Sequence, residues 1–113
     1  MSAAEEATDE FELVCALDDL GIAEAALAEI NGVRVAMVRD ADGIVHAVND
    51  RCTHANVSLS EGEVDGCTIE CWLHGSSFDL LSGRPTGLPA TVPVRVHTVQ
   101  VSADGDVLVA LAD

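Results

Sequence analysis

The sequence predicts an all-β chain: an antiparallel β-sandwich or partly open barrel with an inserted, loop-rich subdomain. Three observations carry this expectation. Short valine-rich segments recur from "FELVCAL" to "VLVAL", and Asn-Gly or Asp-Gly steps separate them. Between Cys52 and Pro93 the rhythm breaks, with glycine at 62, 66, 75, 83 and 87 and proline at 85, 89 and 93. Strands joined by glycine-bearing turns build sandwiches and barrels, and loops displayed on a rigid sheet are where sites usually sit.

The elements follow in order. Residues 1–10 are polar, small and acidic, and are expected to be a flexible leader. From Phe11, "FELVCAL" reads as a strand. "GIAEAALAEI" is rich in helix formers, but it runs straight into Asn31-Gly32 and "VRVAMVR". Asn-Gly between extended segments is a hairpin signal, so a strand is predicted over about Leu27 to Ile30. "VRVAMVR" suits a mostly buried strand. Asp42-Gly43 turns the chain into "IVHAV", and Gly105-Asp106 joins "RVHTVQV" to "VLVAL". The aromatics are only Phe11, Trp72 and Phe78, so Val, Leu, Ile and Ala must fill the core. A chain of 113 residues has room for a single domain, 1–113, with one modest core.

Twenty acidic residues face five arginines and no lysine, for a formal charge of -15. That field repels phosphate backbones and anionic membranes, so no nucleic-acid or membrane partner is expected, and a basic protein partner fits better. No run approaches the roughly 20 apolar residues of a membrane span. "MSAAEEATDEF" lacks the basic start and apolar stretch of a signal peptide. A soluble cytoplasmic protein is expected, in a reducing compartment where thiols remain available to metal.

The chemistry lies in "RCTHANVSLSEGEVDGCTIECWLHGSSF", from Arg51 to Phe78. Cys52 and His54 are two apart and would leave one face of an extended segment. Cys71 and His74 are three apart, which suits a tight turn. The sixteen residues between His54 and Cys71 allow a strand, a turn and a returning strand, so the two pairs can grip one object from two sides. Zinc on two Cys and two His is one reading, but zinc frames usually use a CxxC knuckle, which the CxH step fits poorly. A [2Fe-2S] cluster with two Cys on one iron and two His on the other is the alternative. Cys67 and Cys15 read as small buried hydrophobes. His46 and His97 read as packed or surface histidines without ligand spacing. No acid-base pair, nucleophile elbow or phosphate loop is present, so no enzyme activity of its own is expected.

"CTH" followed by "CWLHG", with the continuation "SSFDLLSGRP", resembles the Rieske signature, and the likeness extends from "VCALDDL" to "PVRVHTVQVSADGDVLVAL". It is closest to the small Rieske-type ferredoxins of bacterial ring-hydroxylating dioxygenases. The resemblance implies one [2Fe-2S] cluster in a cluster-binding subdomain over about 49–90. Cys52 and Cys71 would hold the inner iron, and His54 and His74 the outer one. It also implies a monomeric one-electron carrier between a flavin-dependent NAD(P)H ferredoxin reductase and a terminal non-haem iron oxygenase. Other clients are alternatives: a nitrite reductase, another oxygenase or iron-sulfur assembly. A metal-braced structural subunit is a further one.

High-potential relatives brace the two ligand loops with a disulfide, and Val57 and Leu73 stand at those positions here. Ser76 keeps a serine that such relatives use as a hydrogen-bond donor, and Phe78 replaces their tyrosine. Fewer donors and an acidic surface predict a potential near the low end of the Rieske range, about -150 mV. Trp72, between the second pair of ligands, is expected either to shield the cluster or to touch a partner.

Overall fold

The computed structural model describes residues 11–53, 57–73, 75–88 and 90–112; the expected leader at 1–10 therefore lies outside the described residues. Among the described residues nine strands form two antiparallel sheets. They are β1 (Phe11–Ala16), β2 (Glu24–Ile30), β3 (Val33–Arg39), β4 (Val45–Asn49), β5 (Glu63–Asp65), β6 (Thr68–Glu70), β7 (Ser77–Asp79), β8 (Val96–Val101) and β9 (Asp106–Ala110). Six of them make a sheet ordered β1-β9-β8-β4-β3-β2, and β5-β6-β7 make a second, smaller one. The edge strands β1 and β2 touch, so the large sheet curls into a partly open half-barrel. The small sheet is inserted between β4 and β8.

The ambiguous segment "GIAEAALAEI" is strand, and it starts earlier than expected, at Glu24. Ala23, at φ 63°, turns the chain into it. Alanine and glutamate favour a helix, but pairing decides: seven consecutive residues of β2 register against β3, from Glu24↔Arg39 to Ile30↔Val33. The connecting Asn31 and Gly32 both have positive φ, 51° and 83°. That is the twist a two-residue hairpin requires, and few residues other than Asn and Gly adopt it cheaply.

The poor alternation of "VRVAMVR" has a packing cause. Val35 and Met37 point into the curled sheet, where they meet Leu20, Ile30, Val45, Ala47, Val107 and Val109. Ala36 and Val38 point the other way, onto a second cluster with Val48, Leu59, Ile69, Phe78 and Leu80. A strand covered on both faces reads as a continuous apolar run. This second cluster seats the small sheet on the large one, and it also contains Cys52 and Cys71.

Candidate metal centre

The two ligand segments are built alike. Each cysteine opens a six-residue hairpin and donates its amide to the carbonyl five residues on. Cys52 N–H bonds Val57 O at 3.0 Å, and Cys71 N–H bonds Ser76 O at 2.6 Å. Both cysteines are buried, at 2% and 0% exposure, in one apolar cluster. Of the four expected ligands the structure thus brings Cys52 and Cys71 into one cluster, at the bases of paired hairpins. His54 and His74 lie outside the described residues.

Each hairpin is fastened from below. Asp50, 1% exposed, anchors the first. Its carbonyl accepts Leu59 N–H at 2.5 Å, and its Oδ1 accepts Ser60 N–H at 2.9 Å. Its Oδ2 lies 3.7 Å from the mostly exposed Arg34 guanidinium. In the second hairpin, Gly75 has φ 76° and gives its N–H to Cys71 O at 2.9 Å, so this glycine makes the turn.

A third segment, Arg84 to Val92, ties the two hairpins together. Ala90 N–H donates to Ser76 Oγ at 3.1 Å, and Thr53 Oγ1 donates to Val92 O at 2.6 Å. The base of this clasp is set at Gly83, where φ is 78° and a Cβ would run into Val94 O. Ser76 is 1% exposed and its oxygen accepts one amide, which orients its hydroxyl. Phe78 is fully buried and adds no donor. Trp72 is 52% exposed and Leu73 44%, so both face outward at the second hairpin. Leu88 and Val92, in the third segment, are exposed as well.

Sequence reasoning missed two groups. Asp50 is one; it precedes the motif and carries no spacing signal. The other joins Asp40, His46 and Cys67. His46 Nε2 lies 2.7 Å from Asp40 Oδ2 and 3.8 Å from Cys67 Sγ. His46 and Asp40 are buried and Cys67 half-buried. Cys67 packs against the apolar cluster that holds Cys52 and Cys71, as a small hydrophobe would, and its Sγ also faces His46. Burial opposes ionisation of Asp40, but hydrogen bonds from His46 and from the Ile44 and Asp42 amides outweigh it and hold the carboxyl below its ordinary range. Burial, then the charges of Asp40, Asp79 and Asp42, push the Cys67 thiol up. Cys15 is raised by burial and by Asp19.

The site is thus a small sheet inserted in a curled β-sheet, with two buried cysteines of the motif in one apolar cluster. The chain belongs to the Rieske [2Fe-2S] domain family, which matches residues 10–101. Within that family it is similar to ferredoxin components. It is 48% identical over 65 residues to the ferredoxin CarAc of Metapseudomonas resinovorans, a match covering 58% of this chain and 60% of that protein, less than two thirds of its length. It is 44% identical over 72 residues to the 3-phenylpropionate/cinnamic acid dioxygenase ferredoxin subunit of Escherichia coli (strain K12), covering 63% of this chain and 67% of that protein. A solved complex of reduced oxygenase and oxidized ferredoxin in carbazole 1,9a-dioxygenase superposes with a TM-score of 0.81 at 37% identity, covering 88% of this chain and 92% of that one.

Among the described residues no helix is long and apolar enough to cross a membrane.

Proposed function

We propose that this chain is a one-electron carrier that delivers electrons to the terminal oxygenase of an aromatic-ring dioxygenase system, and that Cys52, His54, Cys71 and His74 hold its [2Fe-2S] cluster. The observation that carries the reading is the matched pair of hairpins, each opening on a buried cysteine of one apolar cluster. The donor set fits the group: two thiolates and two imidazoles suit a Rieske cluster, with the cysteines on the inner iron and the histidines on the outer one. When bound, the cluster takes up and releases a single electron, and neutral imidazoles make it easier to reduce than an all-thiolate cluster would be.

The chain's own residues do the rest. Ile69, Leu59 and Phe78 exclude water behind the cysteines. Ser76 and the clasp from Arg84 to Val92 fix the distance between the loops. Trp72 and Leu73 offer an apolar contact beside His74, suited to a partner surface, since aromatic residues concentrate at interfaces. The charge of -15 favours basic docking faces on a flavin-dependent reductase and on the oxygenase. A solved ferredoxin-oxygenase complex of similar fold supports the oxygenase partner. All four proposed ligands come from one chain, so a monomer suffices to hold the cluster, and a reducing cytoplasm would keep their thiols available. The segment of about 49–90 is the cluster-binding subdomain of a single domain.

Electron paramagnetic resonance before and after dithionite, with iron and sulfide analysis, tests the assignment. The expected result is a silent oxidised protein that gains the low-average-g signal of a histidine-ligated cluster on reduction, with a midpoint of about -150 mV. Silence in both states with stoichiometric zinc would overturn it.

A further inference from the structure

Three elements meet where the small sheet rests on the large one, at the end of β6 opposite Cys71. Asp40 follows the last residue of β3, His46 lies on β4, and Cys67 precedes β6. The junction is pinned by Ala41 N–H donating to Gly66 O at 3.2 Å. We propose that Asp40, His46 and Cys67 form a second metal site, separate from the cluster ligands, that takes a divalent ion of the zinc class.

The geometry comes first. One ligand atom from each residue lies within 4.8 Å of the other two. Around tetrahedral zinc, bond lengths of about 2.0 to 2.3 Å set an S···N edge of roughly 3.6 Å and an N···O edge of roughly 3.3 Å. Sγ···Nε2 is already 3.8 Å. Nε2···Oδ2 is 2.7 Å, the span of a shared proton, and must open by roughly 0.6 Å when a metal replaces that proton.

The chemistry agrees. Thiolate, imidazole and carboxylate together suit zinc better than magnesium or calcium, which prefer oxygen alone. One thiolate, one carboxylate and one neutral imidazole cancel a double positive charge, so the loaded site is neutral where burial would penalise any residual charge. Binding releases the Cys67 proton to solvent. The ring proton of His46 moves to Nδ1.

The surroundings are also those of a metal site. Asp40 Oδ1 accepts the Asp42 and Ile44 amides at 2.9 and 3.0 Å, which fixes the carboxylate and leaves Oδ2 aimed at His46. Such outer bonds orient ligands in metal sites. Asp79 and Asp42 add negative field at Cys67; the field that resists a bare thiolate favours a cation. Cys67 is only half-buried, so an ion can enter and a water can complete the tetrahedron. A bound ion would staple the small sheet to the curled sheet.

The test uses cluster-loaded full-length protein prepared without zinc, given one equivalent of zinc, desalted, and analysed for zinc and iron together. Affinity is read by competition with a chromophoric chelator, in parallel for Cys67→Ser and Asp40→Asn. The wild type should hold one zinc beside its two irons, with an unchanged cluster signal. Removing even an outer partner of a metal site weakens binding about 10- to 100-fold, so each variant should lose at least about tenfold. Equal affinity in the wild type and both variants, no zinc retained by the wild type, or zinc gained only as iron is lost would each overturn the proposal. A failure of the cluster assignment shows separately, as missing iron before zinc is added.

Discussion

Asp50 gives the sharpest test of how the first ligand hairpin is held. Replacing it with alanine removes the acceptor of Ser60 N–H, a hydrogen bond of 2.9 Å to a carboxylate that is 1% exposed. Bonds to charged groups contribute about 1.5–3 kcal/mol. The Arg34 contact adds little: its side chain is 61% exposed and the separation is 3.7 Å, so screening leaves at most about 0.5 kcal/mol. The backbone bonds of residue 50 survive the substitution. The expected loss is therefore about 2–3 kcal/mol, equivalent to a fall in melting temperature of roughly 10 °C for a domain of this size. Asp50→Asn keeps an oxygen at the Oδ1 position and should cost less than about 1 kcal/mol. Thermal melts give the stability, and the rate of colour loss in excess chelator reports opening of the loop. Asp50→Ala should bleach roughly 30-fold faster if the 2 kcal/mol falls on the loop. The reasoning fails if Asp50→Ala melts with the wild type, or if Asp50→Asn is as damaging as Asp50→Ala.

The other predictions concern the far strand and Trp72. His97 Nδ1 accepts Ala112 N–H at 2.9 Å, so its proton sits on Nε2, 2.7 Å from Asn49 Oδ1. Burial, then the Arg95 charge, holds its pKa below the ordinary 6.5. The unfolded chain therefore binds this proton more readily. The contribution is complete above about pH 6.5 and is lost as pH falls from there through the lowered folded value. Denaturant titrations from pH 7 to pH 5 should show a steeper loss for the wild type than for His97→Asn, and parallel curves would refute the assignment. Trp72→Ala should change stability by less than about 0.5 kcal/mol, because the ring is half-exposed. It should leave the midpoint potential unchanged yet raise the KM of the oxygenase for the reduced ferredoxin about tenfold, as for an interface aromatic. Steady-state turnover with the purified oxygenase reads this, and an unchanged KM would remove Trp72 from the docking surface.

Much of this was legible in order along the chain. Asn31-Gly32 announced the first hairpin because few residue pairs adopt two consecutive positive φ values. Cys52, His54, Cys71 and His74 stood out because metal ligation demands particular side chains at particular spacings. The start of β2 was harder: "GIAEAAL" has helical propensity, and only the seven-residue register with β3 made it extended. The grouping of Cys67 with His46 and Asp40 was hidden for a related reason. His46 is 21 residues from Cys67 and Asp40 further still, and no local pattern links a residue before β6 to the turn between β3 and β4.

The sequence by itself determined the strand-and-turn rhythm, the charge of -15 and the spacing of the candidate ligands, since backbone preference, charge and donor chemistry are properties of residues and their near neighbours. The tertiary structure alone decided what holds the site together. The clasp from Thr53 and Ser76 to the segment Arg84–Val92, the anchoring of the first hairpin by Asp50, and the meeting of Asp40, His46 and Cys67 join residues distant in the chain. Such contacts arise only once the small sheet packs on the outer face of the curled sheet, which brings loops distant in sequence side by side and leaves the buried polar groups to find partners in another element.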